Sequence, residues 1–331
     1  MAEVLTNTTD LTKVAAAIRE KGGTSDPLVC PDGFVTAIQA IQTGTELQII
    51  VTVTSGAIVT ATKGSKVVSG TSVNGTCTLV VPEGGEWSVK ATLNGKTSNT
   101  ASVSVKGSYA LTLNFLKANF ADNDWSAIIA ACHSGSVPSS WVAGNSKTMT
   151  IGGTNYKIDI IGKNHDTYTA GGKAPLTFQL HDCYADTKAM NGSATNGGGW
   201  KNSTMRTTKL PAILALMPTE IQNGIREVNK LTSAGSESAT INTTADKLFL
   251  LSEVEIFGSA TYSFHGEGTQ YDYYKAGNSK VKNVSGSPSD WWERSPFTNS
   301  SNGFCMVNSS TGRADFSNAN YIYGVAFGFC F

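Results

Sequence analysis

Charge is scarce in this chain. Asp, Glu, Lys and Arg make up 15% of its 331 residues, and 25 basic side chains balance 25 acidic ones. Nucleic acid or an anionic membrane calls for a basic surface, so neither is expected as a partner. No apolar run approaches the length of a membrane-crossing helix, and insertion is not expected. The opening Met1 to Asn7 lacks the basic flank and apolar core of a secretory signal, so export by that route is not expected. Six cysteines (Cys30, Cys77, Cys132, Cys183, Cys305 and Cys330) include no Cys-x-x-Cys spacing. A zinc site wants clustered pairs, so no metal is expected and buried free thiols are. Cys305 and Cys330, on expected neighbouring strands, are the one pair to check for a disulfide. Asn196-Gly197-Gly198-Gly199-Trp200 lacks the Lys-Ser/Thr of a phosphate cradle, and no cofactor is expected.

What the chain does have is length for two or three domains, and its patterning changes twice. Residues 1–45 read as a helical segment. Thr8 or Thr9 caps a helix with Leu11, Val14, Ala15 and Ile18 on one face, and Gly22-Gly23 ends it. A second short helix follows Pro31-Asp32-Gly33, with Phe34, Ile38 and Ile41 on one side. Two such helices cannot bury their faces alone, which implies oligomerisation or docking. Residues 46–107 alternate with period two, and Asn74-Gly75 and Asn94-Gly95 fall between strand-like runs. This is the pattern of a small β-sandwich with Trp87 in its core, and a spacer role is expected. Residues 108–331 mix expected helices after Asp124 and at Pro211–Leu216 with strands at 147–151, 156–161 and 176–180.

Residues 291–331 organise the rest. Trp291-Trp292-Glu293-Arg294-Ser295-Pro296 opens them and Gly324–Phe331 closes them. Between, Phe297–Tyr323 contains no Lys, Glu, Gln or Leu and is crowded with Asn, Ser, Thr, Gly, Tyr and Phe. Tyr and Phe give contact area at low entropic cost while Ser, Asn and Gly give adaptable hydrogen bonds, so a recognition surface is expected. A turn-rich surface loop has similar composition, and both readings stand on composition alone. The expected ligand-binding set is Phe297, Thr298, Asn299, Ser300, Met306, Asn308, Arg313, Asp315, Ser317, Asn318, Tyr321 and Tyr323, mainly on one exposed face. Tyr321, Tyr323 and Arg313 are the expected energetic anchors. Val325, Phe327, Phe329 and Phe331 are expected to alternate inward along a strand.

His165-Asp166 and His181-Asp182-Cys183 carry residue types used in metal sites and Cys–His dyads. Neighbours on a strand point to opposite faces, so no triad is encoded and histidines bonded to backbone are expected.

Trp291, Trp292, Arg294, Ser295, Pro296, then Phe304, Cys305, Val307, then Gly324 to Phe329 resemble the end of the C-type-lectin-like domains of phage tail proteins and of variable proteins diversified by retroelements. The likeness extends upstream through Asn164–Asp166, Thr177–Leu180, Gly198–Trp200, Ser203–Arg206 and Asp246–Ser252, about two-thirds of the chain. Ala17–Thr24, Gly33-Phe34 and Ala37-Ile38 resemble a segment of phage tail and minor structural proteins. Residues 46–107 resemble the Ig-like or prealbumin-like spacers of surface proteins. The resemblance implies a multidomain α+β chain: an N-terminal helical segment, an Ig-like β-sandwich and a C-terminal C-type-lectin-like head. It implies a phage or prophage tail-tip adhesin of the virion, made in the bacterial cytoplasm. The adhesin would be a homotrimer meeting other tail proteins and a protein or glycan on the host surface, without catalysis. It also implies that error-prone copying of adenines varies Phe297–Tyr323, whose residue types fit Asn-derived codons except for Met306. The rival readings are a formylglycine-generating-type enzyme, although Cys305 and Cys330 lie far apart, and a non-phage bacterial surface adhesin. Glu-Pro-Asn, Gln-Pro-Asp and Trp-Asn-Asp are absent, so calcium-dependent sugar binding is not expected.

Overall fold

A computed structural model of the protein describes residues 8–20 and 46–331. Helix Thr8–Glu20 buries Ala15 and Ile18 and exposes Val14. The second expected helix, with Phe34, Ile38 and Ile41, lies outside the described residues.

Two compact units divide the chain. One runs to Thr97 and resumes over Ala101–Leu113, and the other comprises Ser98–Thr100 and Asn114–Phe331. In the first, β1 (Gln48–Thr52), β4 (Thr76–Val80) and β8 (Ser108–Thr112) form a sheet in the order β4-β1-β8. Strands β2 (Ile58–Lys63), β3 (Lys66–Thr71), β5 (Gly85–Leu93), β6 (Lys96–Thr97) and β7 (Ala101–Val105) form the other. Alternate residues are buried along β1, β4 and β5, as period-two patterning requires, and Trp87 is in the core. Both Asn-Gly pairs make tight turns: Asn74 and Gly75 have φ of 51° and 84°, and Asn94 and Gly95 have 50° and 74°. Two consecutive positive φ values are what a hairpin of this hand demands. The expected boundary at 107/108 moves to 113/114. Strand β8 pairs in parallel with β1, and Leu113 is buried with its N–H on Thr52 O.

The second unit is built on β11 (Leu176–Leu180), every residue of which is buried. With β9 (Ser146–Ile151), β10 (Thr154–Lys163), β14 (Leu248–Phe249) and β20 (Gly328–Cys330) it forms a sheet ordered β14-β20-β11-β10-β9. Phe178 stacks on Phe120 and Phe329 and meets Trp125 edge-on. Trp125 opens helix Trp125–His133, with Asp124 at its N-cap position. Hairpin β12 (Val228–Gly235) and β13 (Ser238–Asp246), hairpin β15 (Lys282–Val284) and β16 (Ser287–Ser289), and the sheet β17 (Trp291–Pro296), β18 (Gly303–Val307) and β19 (Ala314–Asn318) complete the strands. Helix Glu253–Phe257 carries a capping box between Ser252 and Glu255. The expected alternation of Val325, Phe327, Phe329 and Phe331 does not occur. Every residue from Gly324 to Phe331 is buried, because both faces of this segment are covered.

Candidate functional site

The segment 297–323 rests on one buried side chain. Asn196 Nδ2 donates to Phe297 O (3.3 Å), Ser300 O (2.8 Å) and Gly303 O (2.8 Å), its N–H donates to Ser301 O, and its Oδ1 accepts from Ser236 N. The glycines around it serve close approach. A Cβ on Gly199 would stand 2.2 Å from Ser233 O, and one on Gly235 would stand 1.9 Å from Asn196 O. The glycine run Gly197-Gly198-Gly199 thus seats the β12–β13 turn against the loop anchor. Trp291 and Trp292 are both buried, with indole N–H groups on Lys280 O and Lys188 O.

Of the expected ligand-binding residues, those within the sheet divide between its two faces, Met306, Asp315 and Ser317 on one and Asn318 on the other. Register places Met306 opposite Asp315 and Phe304 opposite Ser317, and Ser317 Oγ lies 3.0 Å from the Tyr323 hydroxyl. Cys305 opposite Phe316 and Gly303 opposite Asn318 take the other face. Neighbours along β19 cannot share a face, so the expectation of one surface is corrected to two. Phe297 and Met306 are buried, contrary to expectation. Phe297 lies under Phe316, stacked at 3.8 Å and 9°, and Met306 is paired within the sheet opposite Trp292 and Asp315. Thr298 and Ser300 are half-buried in the anchored loop and Asn299 is exposed. Asn308 shapes its own turn, its Oδ1 accepting from Ser310 N and Thr311 N, while Arg313 beyond it is exposed. Asn318 and Tyr321 are exposed.

Sequence reasoning missed Phe316, Tyr262 and Ile322. Phe316 is 41% exposed, Tyr321 52% and Ile322 63%. Tyr262 packs against Phe316 at 5.3 Å, and its backbone carbonyl holds Thr298 N. Phe316 was legible as the large apolar residue of an otherwise polar strand; Tyr262, distant in sequence, gave no signal.

Beneath this surface the unit carries a buried ionic chain. Lys230 Nζ lies 2.8 Å from Asp166 Oδ1 and 2.6 Å from Glu255 Oε1, and donates to the Tyr271 hydroxyl at 3.0 Å. Glu255 accepts from both terminal nitrogens of Arg294, Nη2 at 2.9 Å. Burial alone would raise the Asp166 and Glu255 carboxyls, but Lys230 holds Asp166 well below its usual range, and Arg294 with Lys230 lowers Glu255. Two other carboxyls go the opposite way. Burial pushes Glu267 up to about 7 although Ser295 and Ser233 N donate to it. Burial also raises Glu293, beside Glu253 and Glu267, and neither of its oxygens meets a hydrogen-bond partner among the described residues.

These directions fix a pH dependence. Folded Glu267 keeps a proton that the unfolded chain releases around 4.5, so its contribution is lost as pH rises through about 7. The loss is on the order of 3 kcal/mol. Asp166 and Glu255 contribute above the ordinary carboxylate range, and that contribution is lost on acidification. The urea midpoint is expected to peak at about pH 5 and to fall toward about pH 8. Glu293→Leu is expected to stabilise the unit by about 2 kcal/mol, because it removes two unpaired buried oxygens. A midpoint that climbs steadily to pH 8, or a destabilised Glu293→Leu variant, would show these carboxyls to be solvated.

Among the described residues, His165, His181 and Cys183 make no hydrogen bond to one another. His165 Nε2 lies 3.0 Å from Thr269 O, and its ring lies 3.9 Å from that of Tyr271. His181 departs from the expected backbone bond: its Nδ1 lies 2.6 Å from Asp159 Oδ2, with the ring partly exposed. The Cys183 thiol is buried and pushed up to about 12 by burial. Cys305 and Cys330, expected on neighbouring strands, lie in separate sheets as buried free thiols. Burial raises both well above the ordinary thiol value.

Fold and site together define a mixed α+β protein, mostly β-sheet, with an aromatic- and amide-rich surface at the end of its larger unit. Residues 176–329, which include that whole surface, match the family described as a domain of unknown function, DUF6273. No curated protein matches. Among solved structures the chain is similar to a DUF4876 family protein from Bacteroides thetaiotaomicron VPI-5482, with 10% identity and a TM-score of 0.16. That match covers 66% of this chain and 52% of the other, so it spans about half of that protein.

Proposed function

We propose that the second unit is a receptor-binding head of the C-type-lectin-like kind, carried on an Ig-like spacer in a phage or prophage tail-tip adhesin. The observation that carries this reading is the exposure of Phe316, Tyr321 and Ile322 on a backbone held from below by Asn196 and the buried tryptophans. Rigid exposed aromatics among amides and hydroxyls bind by contact area and adaptable hydrogen bonds at small entropic cost. The exposed positions within 298–302 and 308–322, such as Asn299, Arg313, Asn318 and Tyr321, would accept exchange without repacking the core, which suits retroelement diversification, whereas Ala319 is buried. The genomic locus tests that part, through a near-identical repeat differing mainly at adenines beside a reverse-transcriptase gene. Light scattering of the full chain tests the homotrimer.

Phe316→Ala and Tyr321→Ala are each expected to weaken binding of the full chain to host cells by about 1–2 kcal/mol, while the folded signal persists. Unchanged binding by the double variant would overturn this face as the contact surface. The formylglycine-generating alternative is tested by assaying cysteine oxidation on a peptide substrate. It has to work with Cys305 and Cys330 thiols that are buried in different sheets.

A further inference from the structure

We propose that the depression beside the variable turn is a binding subsite for an anionic group, a carboxylate or a phosphate. It rests on the receptor-binding reading only for where that group comes from. The depression holds about 400 Å³, and Thr187, Lys188, Asn191, Lys209, Asn320 and Ile322 line it. Its two walls are bonded to each other: Lys188 N donates to Tyr323 O at 2.9 Å, Tyr323 N to Lys188 O at 3.2 Å, and Asn191 N to Ala319 O at 2.9 Å. Trp292 Nε1 fixes the same Lys188 carbonyl from inside at 2.8 Å. The space is therefore framed by backbone, and its side chains decide what enters.

Those side chains are basic. Lys209 Nζ donates to Ala189 O, and Lys188 Nζ lies 2.5 Å from Asp186 Oδ2. An ammonium has three donors, so each bond leaves capacity for a ligand oxygen. Asp186 is exposed, which makes its pair with Lys188 a weak, screened one that an entering anion can displace. No carboxylate lines the depression itself. Burial, and then the Lys188 charge, lower Lys209, so the two ammonium groups already feel each other. An anion between them relieves that repulsion, whereas a cation adds to it and a neutral sugar leaves it in place. The Asn191 amide donates to Thr195 O and accepts from Thr204 N, which fixes the orientation of that wall. Asn320 and Ile322, on the variable turn, form the other rim, so exchange there retunes what surrounds a fixed charge site.

The test is an amide NMR titration of the ¹⁵N-labelled full chain with inorganic phosphate, glucuronate, glucose or sodium chloride. Phosphate or glucuronate is expected to shift the amides of Lys188, Gly192 and Ile322 saturably in the millimolar range, and glucose and chloride are not. The anion that binds more tightly identifies the source as a phosphate-bearing or an acidic-sugar polymer. Lys188→Gln and Lys209→Gln should each weaken the anion by about tenfold, and Lys209→Arg should retain it. Absence of saturable shifts with both anions, or equal shifts with glucose, overturns the subsite. Host-cell binding is measured in parallel. Cells bound by the wild type and both Gln variants alike, with a silent titration, remove the subsite and leave the receptor-binding reading. A positive titration with no cell binding leaves the subsite and removes that reading.

Discussion

Lys230→Met is expected to destabilise the second unit by about 3–5 kcal/mol, enough to leave much of a marginally stable domain unfolded in mild urea. Lys230 is the cation between Asp166 and Glu255, with bonds of 2.8 and 2.6 Å, and its ammonium lies 4.1 Å from the Phe249 ring centre. Met fills similar volume and keeps the apolar contact but leaves Asp166 facing Thr177 and Tyr271 with no cation bonded to it. Glu255 keeps Arg294. The loss therefore falls mainly on the Asp166 carboxylate, which keeps the His165 ring, 3.6 Å away, as its one remaining basic neighbour among the described residues. The expected signature is a urea midpoint that drops sharply at pH 7 and recovers in part on acidification, where Asp166, raised by its burial, takes up a proton. Tryptophan fluorescence follows it, since Trp200, Trp291 and Trp292 are all buried in this unit. A loss below about 1 kcal/mol would mean that the ion pairs contribute no more than solvated ones.

Lys230 also marks a limit of reading the fold from sequence. Along β12 an apolar alternation would turn Leu231 inward, yet Leu231 is 38% exposed while Lys230 and Thr232 are buried. The strand's facing is set by the carboxylates and Arg294 that wait inside, and those come from positions 166, 255 and 294. No local pattern contains them. Where one face is wet the pattern sufficed: the alternating strands of the first unit, both Asn-Gly turns and Trp87 lie where periodicity and turn chemistry put them. Where both faces are covered, as at Gly324–Phe331, burial is continuous and no alternation remains to be read. The candidate site was legible as a segment, because its composition differs from the rest, but not as faces. Register sends Asp315 and Ser317 one way and Phe316 and Asn318 the other, and composition carries no register.

Asn196→Ala is expected to cost about 3 kcal/mol and to loosen the surface before it unfolds the unit. One amide satisfies carbonyls at Phe297, Ser300 and Gly303, and its oxygen satisfies Ser236 N. Truncation removes the side-chain donor from all three carbonyls, of which Gly303 O keeps Phe297 N, and takes the acceptor from Ser236 N, in a place whose neighbours, Gly199 and Gly235, are already at closest approach, so the gap cannot close by collapse. Each buried carbonyl so orphaned costs about 1–3 kcal/mol, and partial access of water at Ser300 offsets some of it. The loop that opens is the one that buries Phe297 beneath Phe316, so the stacked pair separates with it. Amide hydrogen exchange is expected to rise over 297–303 and 316–319 well beyond its rise in β10 and β11, and binding to host cells is expected to fall with it. Phe316→Ala gives the contrasting pattern, losing binding while exchange at Phe297 and Thr298, whose N–H groups are held by Gly303 O and Tyr262 O, stays slow. If Asn196→Ala leaves exchange over 297–303 unchanged, the loop is held by its own turns, and the role assigned to the Asn196 amide is wrong.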